Sequence, residues 1–392
     1  QYGHTHHFHK FESFASMRAF ALPQLMAQSG YRTVQIGKLH VAPESVFHFE
    51  QYLKANSRNA TQMAEVCKPV FEDKSEKPFF LYFATSDPHR GGGVDKSFPG
   101  KHKPDLFGNL PDKKSRKGVN EVFYDPADVI VPPFLPDTAE SRAELSHYYQ
   151  SCSRIDDGLG RLIELLKETG QWDNTILIYT ADHGMAFPGA KTTVYEAGLR
   201  VPFIVRDPRL KAKGLVNKAM ISHSDITPTI LDMAGAYNAK LNKPKKPLSF
   251  EKAGKGENTG KVPKKYHGRS WLPILEESSA KGWDHIVASH TFHEIQMYYP
   301  MRSYRDRNYK LIWIIAYRQP YPFASDLWVA ATWQVQWEKG QDATYGNRSV
   351  NSYIQRPQFE LFDISSDPDE TRNLAELPKH AELLKKYQDK LK

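Results

Sequence analysis

The sequence predicts an α/β fold in which a mainly parallel sheet lies between helices and a smaller antiparallel domain follows. Three observations lead to this prediction. Short runs such as Pro78–Phe83 and Thr175–Thr180 are almost wholly apolar, which is typical of strands buried on both faces. Helical patterns alternate with these runs up to about residue 265. Beyond that point, strand-like runs follow one another with loops between them.

The expected elements of the first part follow the chain in order. A helix over Ala21–Ser29 ends at Gly30, and a strand over Thr33–Ile36 comes next. The longest helix, over Thr138–Lys167, is indicated by apolar residues that recur three and four positions apart. The remaining expected elements are a helix over Asn59–Phe71, strands over Pro78–Phe83, Thr175–Thr180 and Val201–Val205, and a helix over Asp225–Met233.

The second part is expected to form a small antiparallel α+β domain. Its predicted strands are Ile286–His290, Tyr309–Ile314 and Glu360–Asp363, and a helix from about Pro378 closes it. A chain of 392 residues is longer than one hydrophobic core usually serves. We therefore expect two domains, one over residues 1–265 and one over residues 266–392.

Charge and composition limit the classes of partner. The net charge is +8, and the densest basic run, residues 240–265, contains Pro and Gly and is predicted to be a solvated loop. The alternative is that this run guides a polyanionic chain. The sequence contains no nucleic-acid-binding motif and no window with the ~18 consecutive apolar residues of a membrane span. We therefore expect neither a nucleic-acid partner nor a membrane span.

Polar residues follow the predicted strands directly. Ligands of parallel α/β sheets bind at the carboxyl ends of the strands, so these residues are expected to share one pocket. The residues in question are Lys38, His40, Asp87, His89, Asp182 and His183.

The residue types in this set suit charge and proton chemistry. Lys38 and His40 stand two apart, so on an extended segment both side chains point the same way. A lysine can hold an oxyanion while a histidine moves protons. Asp182 and His183 offer a carboxylate and an imidazole to a cation, and the alternative is a turn with a capping Asp. Lys191 is a second candidate for an oxyanion, and the alternative is a solvated loop lysine.

These motifs, taken in order along the chain, resemble those of the sulfatases. The resemblance implies an alkaline-phosphatase-like fold, one Ca²⁺, and a nucleophile that is a formylglycine made from Cys or Ser. The segments that carry it are Gly37-Lys38-Leu39-His40, Asp87-Pro88-His89, Asp182-His183-Gly184, Lys191–Pro202, Glu360–Asp363 and Asp367–Leu374.

The resemblance also implies roles for individual residues. Lys38 would hold the sulfate and the nucleophile, and Lys191 would neutralise sulfate oxygens. His40 would serve the proton traffic of the hydrated formylglycine, and His89 would protonate the departing oxygen or nitrogen. Asp182 and His183 would be the metal ligands.

Two departures from the family pattern concern the nucleophile and the metal. No C-x-P-x-R or S-x-P-x-R occurs in the sequence, and no acidic pair follows a first strand. We expect both to lie in a segment before residue 1, together with the remaining Ca²⁺ ligands. On this interpretation the chain is a fragment or an incomplete gene model, and it is inactive by itself.

Within the family, the chain is most similar to the heparan N-sulfatase branch. That branch implies a sulfated glycan as partner and a sulfamate on glucosamine, or a sulfate ester, as the bond that is cleaved. It also implies a secreted, periplasmic or lysosomal location, and a homodimer is left open. The candidate substrate-binding residues are Asp87, Arg90, His293, Glu294 and Arg302. Further segments that carry this resemblance are Tyr2-Gly3, His6-His7-Phe8, Tyr124-Asp125-Pro126 and Tyr299–Arg302.

Three alternatives are weighed against this interpretation. A phosphohydrolase of the alkaline phosphatase superfamily would share the fold and the Asp-His pair, but two metals suit phosphate monoesters better than lysines do. A protein that lost catalysis and binds sulfated glycans would need no nucleophile. Zinc is the least favoured ligand, because the spacing of His4, His6, His7 and His9 matches no common zinc site.

Overall fold

The computed structural model describes residues 21–41, 44, 47–240, 243–245, 266–294 and 297–391. The histidines at positions 4, 6, 7 and 9 and most of the basic run over residues 240–265 lie outside these ranges.

A parallel sheet forms the first layer, as the sequence predicts. Helix α1 (Leu22–Gln28) leads into β1 (Arg32–Gly37), which lies between β2 (Gln51–Leu53) and β3 (Phe79–Ala84). Both neighbours run parallel to β1. The carboxyl ends of β1 and β3 therefore meet at one edge of the sheet, where Lys38 and the Asp87-Pro88-His89 segment follow.

The predicted helix over residues 59–71 is interrupted. It forms α2 (Ala60–Val66) and α3 (Lys68–Glu72), which meet at Cys67. Pro69 explains the interruption, because proline has no N–H to donate and its ring collides with the preceding turn of a continuous helix. Asn59 caps the first helix by accepting a hydrogen bond from Gln62 N at 2.9 Å.

The longest predicted helix is confirmed as α4 (Ala139–Glu168), 30 residues long. Its N-cap is Thr138, whose hydroxyl accepts a hydrogen bond from Ser141 N. Leu162, Leu165 and Leu166 bury one face of α4 in a cluster with apolar side chains of β1 and α2. This packing holds the sheet against α4. The same helix also carries buried polar side chains that contact residues of the candidate site.

Strands β4 (Leu177–Thr180) and β5 (Phe203–Arg206) pair antiparallel, with the short helix α5 (Glu196–Leu199) between them. The expectation that both belong to a parallel arrangement is therefore wrong for β5. The connecting segment contains only a four-residue helix, so it does not form the long crossover that parallel neighbours need. Helix α6 (Ile226–Met233) and the two-residue strands β6 (Tyr237–Asn238) and β7 (Lys243–Pro244) follow.

The second part contains the predicted antiparallel sheet. Its strands are β8 (His285–His293), β9 (Met297–Asp306), β10 (Tyr309–Ile314) and β13 (Phe359–Asp363). Their order across the sheet is β13-β10-β9-β8. The other elements of this part are α7 (Ser325–Trp328), α8 (Ala331–Glu338), β11 (Thr344–Tyr345), β12 (Arg348–Ser349), α9 (Val350–Ile354) and α10 (Ala381–Leu391).

One apolar cluster joins the two parts. Phe107 and Phe187 from the first part are buried together with Met297, Tyr299 and Trp333 from the second. The boundary at residue 265 stays a prediction, because this shared core gives no sign of it. In the part of the chain that the structure describes, no helix is both long enough and apolar enough to cross a membrane.

Candidate active site

Lys38 is fixed at the edge where β1 and β3 end. Its N–H donates to Ala84 O at 2.7 Å, which extends the ladder past Gly37. Gly37 has φ of 86°, and a Cβ there would lie 2.0 Å from Ala84 O, so only glycine fits. Burial lowers the pKa of the Lys38 ammonium, and the nearby Asp182 carboxylate opposes that shift. Lys38 therefore lies within electrostatic range of the Asp-His pair that follows β4.

His89 has one ring nitrogen committed to the backbone. Nδ1 lies 2.8 Å from Arg90 O, and because a carbonyl only accepts, Nδ1 carries the hydrogen. Nε2 faces the Lys191 ammonium at 3.4 Å. Burial lowers the pKa of His89 and the Lys191 charge lowers it further. The ring is thus oriented, with Nε2 available for proton transfer.

Lys191 is a buried point charge. Its side chain is 3% exposed, and Nζ donates to Asp326 Oδ2 at 2.7 Å. The loop after it is held from the second part of the chain, because Tyr321 OH donates to Thr192 O at 3.1 Å. This burial excludes the alternative of a solvated loop lysine.

Asp326 is a member of this cluster that sequence reasoning missed. It lies in α7, and its Oδ2 is 4.0 Å from His89 Nε2 as well as 2.7 Å from Lys191 Nζ. Its Oδ1 is buried and has no hydrogen-bond partner within the described ranges. No local motif surrounds Asp326, so only the fold could reveal its position.

Asp182 and His183 lie side by side after β4. His183 Nδ1 donates to Gly184 O at 2.7 Å, which leaves Nε2 free of that bond and 3.8 Å from Asp182 Oδ2. Gly184 is required here, since a Cβ would lie 1.8 Å from Ala197 O. His223, which the sequence did not single out, is close enough to both residues to interact electrostatically.

These residues fit part of a calcium site. The Asp182 side chain is 80% exposed, so its carboxylate is open to a cation. Ca²⁺ takes six to eight oxygen ligands, however, and no group of three metal-ligating side chains occurs among the residues described. The described residues therefore supply only part of the ligand set that Ca²⁺ needs.

Asp87 and Arg90 are buried and paired with charged side chains of the protein, and their substrate contacts stay predictions. The Asp87 carboxylate is buried and accepts hydrogen bonds from Arg58 Nη1 at 2.8 Å and Arg154 Nε at 2.9 Å. The Arg90 guanidinium is buried and forms two 2.8 Å hydrogen bonds with the Glu144 carboxylate. Both residues anchor the segment beneath His89, because buried charges need partners.

The candidates from the second part lie at two places. The Glu294 carboxylate accepts hydrogen bonds from Ser325 Oγ at 2.8 Å and Ser325 N at 3.3 Å, so it holds the start of α7. His293 ends β8 beside it. Arg302 is exposed on β9.

His40, from the first part of the chain, is half-buried beyond β1. Substrate contacts of His293, Glu294 and Arg302, and the proton role of His40, stay predictions.

Comparisons with known proteins identify the family of the chain. A family model described as Sulfatase matches residues 4–236. Human N-sulphoglucosamine sulphohydrolase is 33% identical over 408 aligned residues, which cover 100% of this chain and 76% of that protein.

Two solved structures show the same fold. A protein in complex with its substrate D-glucosamine-2-N,6-O-disulfate matches with a TM-score of 0.59 at 18% identity, over 98% of this chain and 84% of that one. The phosphonate monoester hydrolase of Agrobacterium radiobacter matches with a TM-score of 0.63 at 17% identity, over 98% and 81%.

Proposed function

Because this chain belongs to the sulfatase family, we propose that it hydrolyses a sulfamate or sulfate ester on a glycan, with N-sulfated glucosamine as the substrate. The observation that carries the proposal is the cluster of Lys38, His89 and Lys191 at the strand ends, in a chain related over its whole length to a human sulfohydrolase of that substrate. A glycan of this kind is anionic, which suits the net charge of +8.

The two lysines bind the sulfate group in this proposal. Lys191 is buried and held by Asp326, so its ammonium needs no reorganisation when an oxyanion arrives. Its three N–H donors allow it to contact Asp326 and a sulfate oxygen together. Lys38, fixed by its backbone to the end of β3, approaches from the other strand. Their charges neutralise the sulfate oxygens, so an attacking oxygen approaches the sulfur with less repulsion.

His89 gives a proton to the departing atom. Its Nδ1 is tied to Arg90 O, so only Nε2 faces the site. In the ligand-free protein its pKa is lowered by burial and by Lys191. A bound sulfate adds negative charge next to the ring and favours the imidazolium that acts as the acid. We propose that His40 exchanges protons with the attacking group.

The sulfatase family generally uses formylglycine and Ca²⁺. When present, formylglycine supplies the attacking oxygen, and no C-x-P-x-R or S-x-P-x-R that would carry it occurs in this sequence. We propose that Asp182 and His183 supply part of a Ca²⁺ site, with an open carboxylate and a free Nε2. A homodimer stays a prediction.

A phosphohydrolase is the second candidate, and the fold of the phosphonate monoester hydrolase is compatible with it. The lysines favour sulfate, because a sulfate monoester carries one negative charge and a phosphate monoester carries two. Two metal ions are the usual clamp for phosphoryl transfer.

An aryl sulfate and the matching aryl phosphate separate the two candidates. The purified holoenzyme, meaning the protein that carries the formylglycine nucleophile, is offered each ester, and the release of the same aryl alcohol is measured. We expect turnover of the sulfate to exceed that of the phosphate, and we expect Lys191→Met to abolish that preference. Faster hydrolysis of the phosphate would overturn the sulfatase assignment.

A further inference from the structure

We propose that Asp326 is a specificity-determining residue that recognises the nitrogen of a sulfamate through its carboxylate and disfavours the bridging oxygen of a sulfate ester. The inference rests on the proposed function and deepens it, because it names the group that would distinguish the two bonds.

The position of Asp326 places it next to the leaving atom. An atom that receives a proton from His89 Nε2 must lie within hydrogen-bond reach of that nitrogen, ~3 Å. Asp326 Oδ2 is 4.0 Å from the same nitrogen. The carboxylate therefore acts on the leaving atom at short range, and it is the acidic side chain in contact with the Lys191–His89 pair.

The Asp326 carboxylate has an acceptor to offer. Oδ2 is used by Lys191, whereas Oδ1 is buried and lacks a hydrogen-bond partner among the residues described. Buried acceptors are normally paired, and in this proposal the ligand supplies the donor. A sulfamate, R–NH–SO₃⁻, has an N–H at the leaving position. The bridging oxygen of an ester, R–O–SO₃⁻, has only lone pairs there and is repelled by a carboxylate.

The charge of the amine product also favours a sulfamate over a sulfate ester next to Asp326. In the balanced reaction, R–NH–SO₃⁻ and water give R–NH₃⁺ and SO₄²⁻. The S–N bond breaks with its electron pair going to nitrogen, and a new S–O bond forms. Water supplies the oxygen and both protons, one of which His89 Nε2 relays. The nitrogen becomes cationic beside Asp326 and can form an ion pair with it, whereas an ester would release a neutral hydroxyl that can form only a hydrogen bond with a carboxylate.

The structure holds Asp326 ionised and in place. Although burial opposes ionisation, Lys191 and His89 keep the pKa of Asp326 below its usual value. The start of α7 is tied to Glu294 through the side chain and backbone of Ser325. This support is in place without a ligand, as a recognition element requires.

The test is Asp326→Asn in the holoenzyme, because asparagine keeps the shape and removes the charge. Values of kcat/KM are measured for N-sulfoglucosamine and for an aryl O-sulfate. We expect the loss on the sulfamate to exceed the loss on the ester by roughly 10- to 100-fold, because both substrates lose the ion pair that holds Lys191 and only the sulfamate also loses a charge-assisted hydrogen bond. Asp326→Glu should recover part of the sulfamate activity. Asp284→Asn, an exposed aspartate paired with Arg307, is the matched control and should change neither value.

If Asp326→Asn hydrolyses both substrates too slowly to compare, a binding measurement tests the same role of Asp326. Calorimetry with glucosamine at a pH where its amine is charged should show weaker binding to Asp326→Asn than to wild type. Binding of the neutral N-acetylglucosamine should be equal. An equal loss on both substrates, or equal glucosamine binding, would overturn the role of Asp326. A wild-type holoenzyme that releases sulfate from O-sulfates but none from N-sulfoglucosamine would instead overturn the proposed substrate.

Discussion

Lys191 and Asp326 are 135 residues apart in sequence, yet their side chains form a 2.7 Å ion pair between Nζ and Oδ2. The pair joins the strand-end loops of the first part to helix α7 of the second. Because His89 Nε2 lies against both side chains, the two parts of the chain build the candidate active site together.

The first prediction concerns Lys191→Met. Losing this buried charge should lower sulfate release by roughly 100- to 1000-fold, the effect of removing one preorganised donor to an oxyanion. It should also lower the free energy of unfolding by about 1–3 kcal/mol, because Asp326 is left without its partner. Urea unfolding and a sulfate-release assay measure the two effects.

The double variant Lys191→Met/Asp326→Asn is the control for Lys191→Met. It removes the uncompensated carboxylate, so unfolding stability should recover in part while sulfate release stays low. Stability losses that simply add would show that the two side chains do not interact in solution.

The second prediction concerns pH and His89. Its folded pKa lies below the usual value because of burial and then Lys191, so the unfolded state binds more protons as pH falls through this range. The His89 contribution to stability is therefore full above the unfolded pKa and is lost toward the lowered folded pKa. For activity, kcat/KM should fall as pH rises above a pKa lower than about 6.5, where free His89 loses its proton.

The fall in kcat should occur at higher pH than the fall in kcat/KM, because a bound sulfate favours the imidazolium. Steady-state rates at saturating substrate give kcat, and rates at low substrate give kcat/KM. In His89→Gln the fall in rate at high pH should disappear. A fall that persists unchanged would show that another group titrates there.

The third prediction follows from the burial of Arg90. Arg90→Met leaves Glu144 as an uncompensated buried charge, so the free energy of unfolding should fall by about 3–5 kcal/mol. Arg302→Met is the comparison, since Arg302 is exposed and its loss should cost less than about 0.5 kcal/mol. Denaturant titrations of both variants measure the difference, and a small effect of Arg90→Met would return it to the role of a ligand contact.

The fourth prediction concerns the metal. Calcium at about 100 times its Kd should stabilise the holoenzyme by about 2.7 kcal/mol through mass action. Asp182→Asn should remove most of that stabilisation and, without calcium, should change stability by no more than about 0.5 kcal/mol because its side chain is 80% exposed. Melting temperatures with calcium and with a chelator give both numbers, and an unchanged calcium response in the variant would remove Asp182 from the site.

The strand-end residues could be predicted because local patterns determine them. Buried strands can be recognised in the sequence as apolar runs. The carboxyl ends of β1 and β3 then bring Lys38 and His89 to one edge of the parallel sheet. The burial of Asp87 and Arg90 could not be predicted in this way. Their partners Arg154 and Glu144 lie on α4, 67 and 54 residues away, and no spacing in the sequence indicates which face of that helix packs beneath β3.

The position of Asp326 in the site also could not be predicted from the sequence. A single aspartate in a four-residue helix has no periodicity or motif, so it becomes visible only when the second part packs against the first. The antiparallel pairing of β5 was also hidden, because an apolar run of four residues has the same pattern in either direction.

The most direct test of the account is the release of sulfate by the holoenzyme from N-sulfoglucosamine, measured beside 6-O-sulfated glucosamine and a sulfated algal oligosaccharide. The account predicts the highest kcat/KM for N-sulfoglucosamine and the loss of that activity in His89→Gln. Turnover of an O-sulfated sugar with none of the sulfamate would contradict it.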